Sequence, residues 1–398
     1  MTDVPTRQPI NVVPFPEAEP EYYPAMPPRL FGTEWRGLLI WAARRGASDI
    51  RLQPAYPVML QIHGKLVEAT PRTLSYAEVE DAANVLYGAD GMARIKSGQD
   101  FDCAYQIRPD RYTRLRFRVN AAGCEVEGID TVSIVLRVLP TEPPRIESLG
   151  LEPAILAAYR VRKGIGIVSG GTENGKSTLL AAMIRAMIED PEADLSILEY
   201  AAPIEFVQDA VNAGADQPRQ RRRTMITQRE VPRHIPSFHA AARQAMRANP
   251  KLCLLAECRD AETMSVACLL AIAGTALLTT IHAGSIAETI QRAVSLCPTG
   301  ERAAVAVQLA QSLRFIINQR LVPSTDGRRT ALREFLVFDD GLRRQLARSS
   351  PDDWPAIVQE ALPTHGQNFT AAATRALAEG RIDESTMFFI KAEFGDVA

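Results

Sequence analysis

Residues 164–178 read GIGIVSGGTENGKST, and the helix-forming LLAAMIRAMIE carries the chain on to Glu189. The apolar run Gly164 to Gly170 predicts a strand buried on both faces, and the glycine-rich turn after it hands the chain directly to a helix. Gly170-Gly171-Thr172-Glu173-Asn174-Gly175-Lys176-Ser177-Thr178 satisfies G-x-x-x-x-G-K-[ST] in the strand, loop and helix order that the motif requires. The chemistry behind this pattern is anion recognition. Loop N–H groups and the helix N-terminus cradle phosphates, the Lys176 ammonium reaches the outer phosphates, and the Ser177 hydroxyl ligates Mg²⁺. A nucleoside triphosphate is the ligand the segment predicts.

Downstream, apolar runs at Leu195 to Tyr200, Leu252 to Cys258 and Ala276 to His282 alternate with helical patterns at Ser237 to Arg247, Asp260 to Ala273 and Ser285 to Ser295. This is the rhythm of a mostly parallel sheet covered by helices, an α/β class. Ligands of such sheets bind at the carboxyl ends of the strands. Glu257, leaving the Leu252 run, is thereby expected beside the phosphate loop, where a carboxylate can polarise an attacking water. An acidic residue preceding a helix also has a purely structural use. His282 falls at the same edge, with structural and chemical roles both open. From Thr263 to Ala287 no formally charged side chain occurs, which makes a membrane span a candidate by length. Ser265, Thr275, Thr279, Thr280 and the central Gly274 favour instead a buried helix ending at Gly274 and a central strand opening at Thr275. No direct membrane span is expected.

Upstream, the first 28 residues hold eight of the 27 prolines, which predicts a disordered tail over 1–30. A helix is expected from Thr33 to Arg45, with Trp35, Leu38, Leu39 and Ala42 on its buried face. Strands follow at Asp49 to Gln53, Val58 to Ile62, Tyr112 to Asn120 and Thr131 to Leu139. The proline segment from Pro140 to Pro144 closes a first α+β domain, 31–142. The second domain is set at 143–345, and 346–398 reads as C-terminal helices after the Ser349-Ser350-Pro351 break. Phe388-Phe389-Ile390 is expected to pack on a helix rather than to anchor in a membrane.

The composition, 398 residues with 46% hydrophobic and 23% charged, excludes collagen-like and wholly disordered chains. Forty-five basic against 47 acidic residues leave a net charge of −2, so no overall field holds DNA or an anionic membrane and any anion needs a local site. The basic cluster Arg219, Arg221, Arg222, Arg223, with Arg229 and Arg233 beyond, carries no interleaved aromatics, and a solvated loop is preferred over a nucleic-acid track. Cys103, Cys124, Cys253, Cys258, Cys268 and Cys297 form no C-x-x-C pair, and His234 and His239 add no zinc spacing. Reduced thiols in a cytoplasmic protein are expected, with no metal beyond Mg²⁺. The N-terminus lacks a secretory start, so export is not expected.

In this order and spacing the sites resemble the secretion and pilus-motor ATPases, the family of type II and type IV secretion and pilus-retraction ATPases, most of all the DotB and TraJ branch of type IVB secretion and conjugation systems. Ala47-Ser48-Asp49-Ile50 and Ile62-His63-Gly64-Lys65-Leu66 look like the opening of the family's PAS-like N-terminal domain. Arg116-Phe117-Arg118-Val119-Asn120 and Leu136-Arg137-Val138-Leu139-Pro140 look like its arginine-bearing strands. Pro203-Ile204-Glu205-Phe206 resembles the Asp box, Ala256 to Thr263 the Walker B region, and Thr279 to Ser285 the His box. Gln228 to Pro236 and Ala331 to Phe338 match the narrower branch.

The resemblance implies a PAS-like α+β domain followed by a RecA-like P-loop NTPase domain. It implies a cytoplasmic homo-hexamer that binds ATP and Mg²⁺ between the two domains of neighbouring protomers, peripheral at the inner membrane through secretion or conjugation complex components. Glu257 would be the catalytic carboxylate, His282 a γ-phosphate sensor, Arg118 and Arg137 arginine fingers, and Glu205 a member of the nucleotide site. Three departures from the family pattern are present: Glu173 in place of a loop glycine, Ala201 and Ala202 where the Asp box is usually acidic, and Ala256 for glycine. Glu199, on the same strand face as Ala201, is a candidate substitute for the missing acid. The departures imply nucleotide binding with slowed hydrolysis. The rival functions are a non-hydrolysing ring subunit that docks on a membrane complex, and a nucleic-acid translocase.

Overall fold

A computed structural model of the chain describes residues 22–62, 64–110, 113–140, 142–208, 223–298 and 300–395. The chain divides into two units, Met1–Leu139 and Pro140–Ala398.

In the first unit, α1 (Glu34–Arg44) is followed by β1 (Asp49–Leu52), β2 (Met59–Ile62), β3 (Lys65–Glu68), α2 (Tyr76–Tyr87), α3 (Gly91–Lys96), β4 (Phe101–Ile107), β5 (Leu115–Val126) and β6 (Ile129–Leu139). The strands form one antiparallel sheet in the order β3-β2-β1-β6-β5-β4. As its spacing dictates, α1 buries Trp35, Leu38, Leu39 and Ala42. A capping box between Ser75 and Glu78 starts α2, and the Glu78 carboxylate also accepts the Leu30 N–H at 2.7 Å. The tail expected over 1–30 is therefore too long. Residues 1–21 lie outside the described residues, but the Tyr23 N–H donates to the Ala69 carbonyl at 2.8 Å and Leu30 is fully buried. Tyr23 and Leu30 give the proline-rich segment apolar surface to bury, which its average composition hides.

The second unit runs α4 (Pro153–Ala158), β7 (Gly164–Ser169), α5 (Lys176–Glu189), β8 (Ser196–Ala201), β9 (Met225–Glu230), α6 (Phe238–Ala248), β10 (Leu252–Leu255), α7 (Ala261–Ile272), β11 (Ala276–Ile281), α8 (Ile286–Ser295), α9 (Arg302–Ser312), β12 (Leu313–Pro323), β13 (Arg329–Val337), α10 (Asp340–Arg348), α11 (Trp354–His365), β14 (Gly366–Gln367), α12 (Phe369–Ala378) and α13 (Glu384–Phe394). Its eight-stranded sheet has the order β14-β13-β12-β7-β11-β10-β8-β9. The strands from β9 to β12 are parallel, and β13 and β14 extend the sheet antiparallel. Every residue of β7, β10 and β11 is buried, which accounts for their uncharged, mainly apolar sequences.

The uncharged stretch becomes α7 and β11, joined through Gly274 at φ +101°. Among the described residues no helix is long and apolar enough to cross a membrane. The C-terminal helices pack on β12 and β13 through Val322, Leu332, Phe369, Ala373, Ile382 and Ile390. Packing of Phe388-Phe389-Ile390 holds for Ile390 alone. Phe388 and Phe389 are 69% and 67% exposed, because three consecutive helical residues cannot share one face. None of the six cysteines is in a disulfide, and burial pushes the thiols of Cys253 and Cys268 up to about 12.

Candidate active site

Strand β7 delivers the glycine loop to the carboxyl edge of the sheet. A Cβ on Gly170, at φ +143°, would lie 2.3 Å from the Gln319 carbonyl oxygen of β12, so only glycine fits. Asn174 is held on the same side. Its carbonyl accepts from Gln319 Nε2 at 2.7 Å and its Oδ1 accepts the Leu321 N–H at 3.1 Å. Gly171, Thr172, Glu173 and Ser177 are exposed, and Thr178 is half-buried. Glu173 has the left-handed backbone, φ +63°, that explains the glycine of the resembling pattern.

Helix α5 follows Gly175, φ +74°, which gives it no side-chain cap, whereas Ser237, Asp260 and Ser285 cap α6, α7 and α8. Its N-terminal end is thus left for an anion. Lys176 is buried and curls into the loop, donating from Nζ to the carbonyls of Gly170 at 3.0 Å and Gly171 at 2.7 Å. Burial lowers its pKa, opposed by the carboxylates of Glu257 and the half-buried Glu205. An uncapped helix start, a desolvated ammonium and an exposed Ser177 hydroxyl fit phosphate oxygens and Mg²⁺.

Glu257 follows β10, where its neighbours are clamped on both sides. The Ala256 N–H donates to Tyr200 at 2.8 Å, Cys258 N–H to Thr280 at 3.1 Å, and Thr280 Oγ1 to the Ala256 carbonyl at 2.6 Å. The Glu257 carboxylate accepts from Arg259 Nη2 at 2.5 Å and lies 3.5 Å from His282 Nε2. His282 Nδ1 lies 3.4 Å from Lys176 Nζ. An ammonium only donates, so Nδ1 faces it as an acceptor and the ring proton is assigned to Nε2, towards Glu257. Burial and then the Lys176 charge lower the His282 pKa, Glu257 opposing, so a neutral ring at pH 7 agrees with that tautomer.

Behind this edge, Asn318 Nδ2 donates to Ser169 Oγ and to the Ala283 carbonyl, both at 2.9 Å. Glu334 on β13 accepts the Ile286 N–H at 2.6 Å. Burial raises the Glu334 pKa from its ordinary 4.5 to about 7, the Ile286 bond opposing. Such a carboxyl contributes its stability fully below pH 4.5 and loses it as the pH rises to about 7, a loss of roughly 3 kcal/mol. Glu334→Gln is therefore expected to remove a fall in stability across that window. Urea midpoints measured from pH 4.5 to 8 for both proteins check this, and parallel pH profiles would refute it.

The loop, Lys176, Glu257 and His282 lie together, with Glu205 close enough to act on the Lys176 charge. Arg118 and Arg137 belong to the first unit, where they are direct cross-strand partners on one sheet face. Each faces a carboxylate, Arg118 at 2.6 Å from Asp102 and Arg137 at 3.0 Å from Asp49, which offsets their mutual repulsion. Glu199 is buried and accepts from Gln228 Nε2 at 2.7 Å, bridging β8 and β9. Arg219, Arg221 and Arg222 lie outside the described residues. Arg229 donates to Tyr200 Oη at 3.2 Å and to Gln244. Gln319, Asn318 and Arg333 were not expected at the site. Arg333 lies within the Ala331 to Phe338 segment of the resemblance, and the only sequence signal of Asn318 and Gln319 is polarity within an otherwise strand-like run.

A glycine loop between a buried central strand and an uncapped helix, faced by a carboxylate and a histidine from neighbouring strands, defines a phosphate-loop α/β protein. The family model "Type II/IV secretion system protein" matches residues 38–381, and the chain belongs to that family. It is 36% identical to the Legionella pneumophila ATPase DotB, whose X-ray structure superposes with a TM-score of 0.85 over 94% of this chain and 99% of that one. A crystal structure of the pilus retraction motor PilT with bound ADP is 25% identical, with a TM-score of 0.76 over 91% of this chain and 97% of that one. The type IV pilus retraction ATPase PilT of Pseudomonas aeruginosa is 29% identical over 332 residues, 83% of this chain and 88% of the relative.

Proposed function

We propose that the protein is an ATPase of a type IVB-like secretion or conjugation apparatus, working as a cytoplasmic homo-hexamer held at the inner membrane by partner proteins. Residues 31–142 serve as the PAS-like domain, 143–345 as the RecA-like domain and 346–398 as the C-terminal helices. The observation that carries the reading is the Lys176–His282–Glu257 array at the phosphate loop. Lys176, the loop from Gly170 to Thr178 and Glu205 would hold ATP, and Ser177 its Mg²⁺. Bound ATP and Mg²⁺ supply the phosphoryl group and its neutralising cation. Glu257 accepts the proton of the attacking water, while neutral His282 orients that carboxylate through Nε2–H. Arg118 and Arg137 act as arginine fingers, guanidinium groups matched to phosphate geometry.

Glu173 makes this site a slowed one. Its side chain is exposed, so the repulsion of a phosphate ~4 Å away is nearer ~1 than ~4 kcal/mol, about fivefold in affinity. The left-handed backbone adds ~1 to 2 kcal/mol of strain. Glu173→Gly is expected to tighten ATP about fivefold and to raise turnover at limiting ATP. Phosphate release measured against ATP concentration on the assembled ring, with its mass determined in parallel, checks both claims. An unchanged affinity sinks the role given to Glu173, and a monomer that turns over ATP at full rate sinks the ring.

A further inference from the structure

Gln319, in the middle of β12 and buried, reaches the phosphate loop with one end of its amide: Nε2 donates to the Asn174 carbonyl at 2.7 Å. The other end is set by Arg333, its direct partner on β13, whose Nε donates to Gln319 Oε1 at 2.9 Å. A guanidinium carries only donors, so it selects the orientation in which the amide oxygen faces Arg333 and the amide hydrogens face the loop. Arg333 is 3% exposed and is itself tied down. Its Nη2 donates to the Leu149 carbonyl at 2.9 Å, and its Nη1 to the Gly150 carbonyl at 3.2 Å and to Glu152 at 3.5 Å. The chain of contacts continues outward. On β14, Gln367 Nε2 donates to the Arg333 carbonyl at 2.9 Å, and Gln367 Oε1 accepts from Arg375, an exposed residue of α12. Hydrogen bonds in series in a desolvated setting polarise and hold one another, and an end left unpaired is costly.

We propose that Gln319 is a positioning residue for the phosphate loop, and that Arg375 acts on the loop from the C-terminal helices through Gln367, Arg333 and Gln319. The proposal rests on the nucleotide-binding reading of the loop. Two variants separate positioning from packing. Gln319→Glu keeps the shape and strengthens the Arg333 contact but turns an oxygen towards the Asn174 carbonyl. Gln319→Met removes both bonds without adding charge.

The test is binding of a fluorescent ADP analogue to the full chain, with Lys176→Ala as background and urea midpoints measured alongside. Both Gln319 variants are expected to weaken binding about tenfold, with Gln319→Glu keeping the wild-type midpoint, and Arg375→Met about two- to fivefold. If the wild type binds no better than Lys176→Ala, the nucleotide reading itself fails. If the wild type binds and the Gln319 variants match it, the positioning role is overturned. If only Arg375→Met matches it, the arm to the C-terminal helices is overturned.

Discussion

Glu257→Gln is expected to lower ATP turnover about 100- to 10,000-fold, the range that a general base contributes, while leaving nucleotide affinity near that of the wild type. The amide keeps the volume of the carboxylate and one acceptor oxygen, enough for either Arg259 or His282, which lie 2.5 and 3.5 Å from different oxygens of the present side chain. It loses the basicity that accepts a proton from water. Because the backbone on either side is clamped to β8 and β11, the variant has little room to recruit another base. Phosphate release and ADP binding measured on one preparation separate the two effects. Equal losses in both would move Glu257 from proton transfer to binding.

Lys176→Ala is expected to weaken nucleotide binding about 10- to 100-fold, since a hydrogen bond to a charged group is worth ~1.5 to 3 kcal/mol. The ammonium is buried and its pKa is lowered, so its water has already been removed during folding and its pairing with phosphate costs little further desolvation. Removing it also takes away the charge that faces His282 Nδ1 and lowers the His282 pKa. The ring of the variant should then protonate at higher pH than in the wild type. Isothermal titration with ADP gives the first quantity and the NMR shift of the His282 ring against pH gives the second. Wild-type affinity would remove Lys176 from the site.

What could be read without coordinates followed the range of the interactions. The strand, loop and helix around Lys176 depend on contacts within a few residues, and the buried strands β7, β10 and β11 announce themselves by uncharged, mainly apolar sequence. Glu257 and His282 could be put at one sheet edge because strand ends share that edge in parallel topology. The order of the array, with His282 between lysine and carboxylate, needed distances.

The hairpin of β12 and β13 is not legible as a pair of strands, although Ala331 to Phe338 carries part of the resemblance, because Asn318, Gln319, Arg333 and Glu334 interrupt its apolar pattern. All four are buried, and each is satisfied by a partner remote in sequence. Composition misjudged the segment before Leu30, whose few apolar groups fill the first core. Helical periodicity, applied to Phe388 and Phe389, would have placed only one of three adjacent residues inside.

The central claim is that this phosphate loop supports hydrolysis at Glu257. Its most direct measurement is steady-state phosphate release by the purified, assembled wild-type protein with ATP and Mg²⁺, against Lys176→Ala prepared identically. The expected result is a slow turnover in the wild type that stands clearly above the variant and rises in Glu173→Gly. Wild-type release equal to that of Lys176→Ala, in a protein that still binds ADP, would contradict the claim and leave a nucleotide-holding subunit in its place.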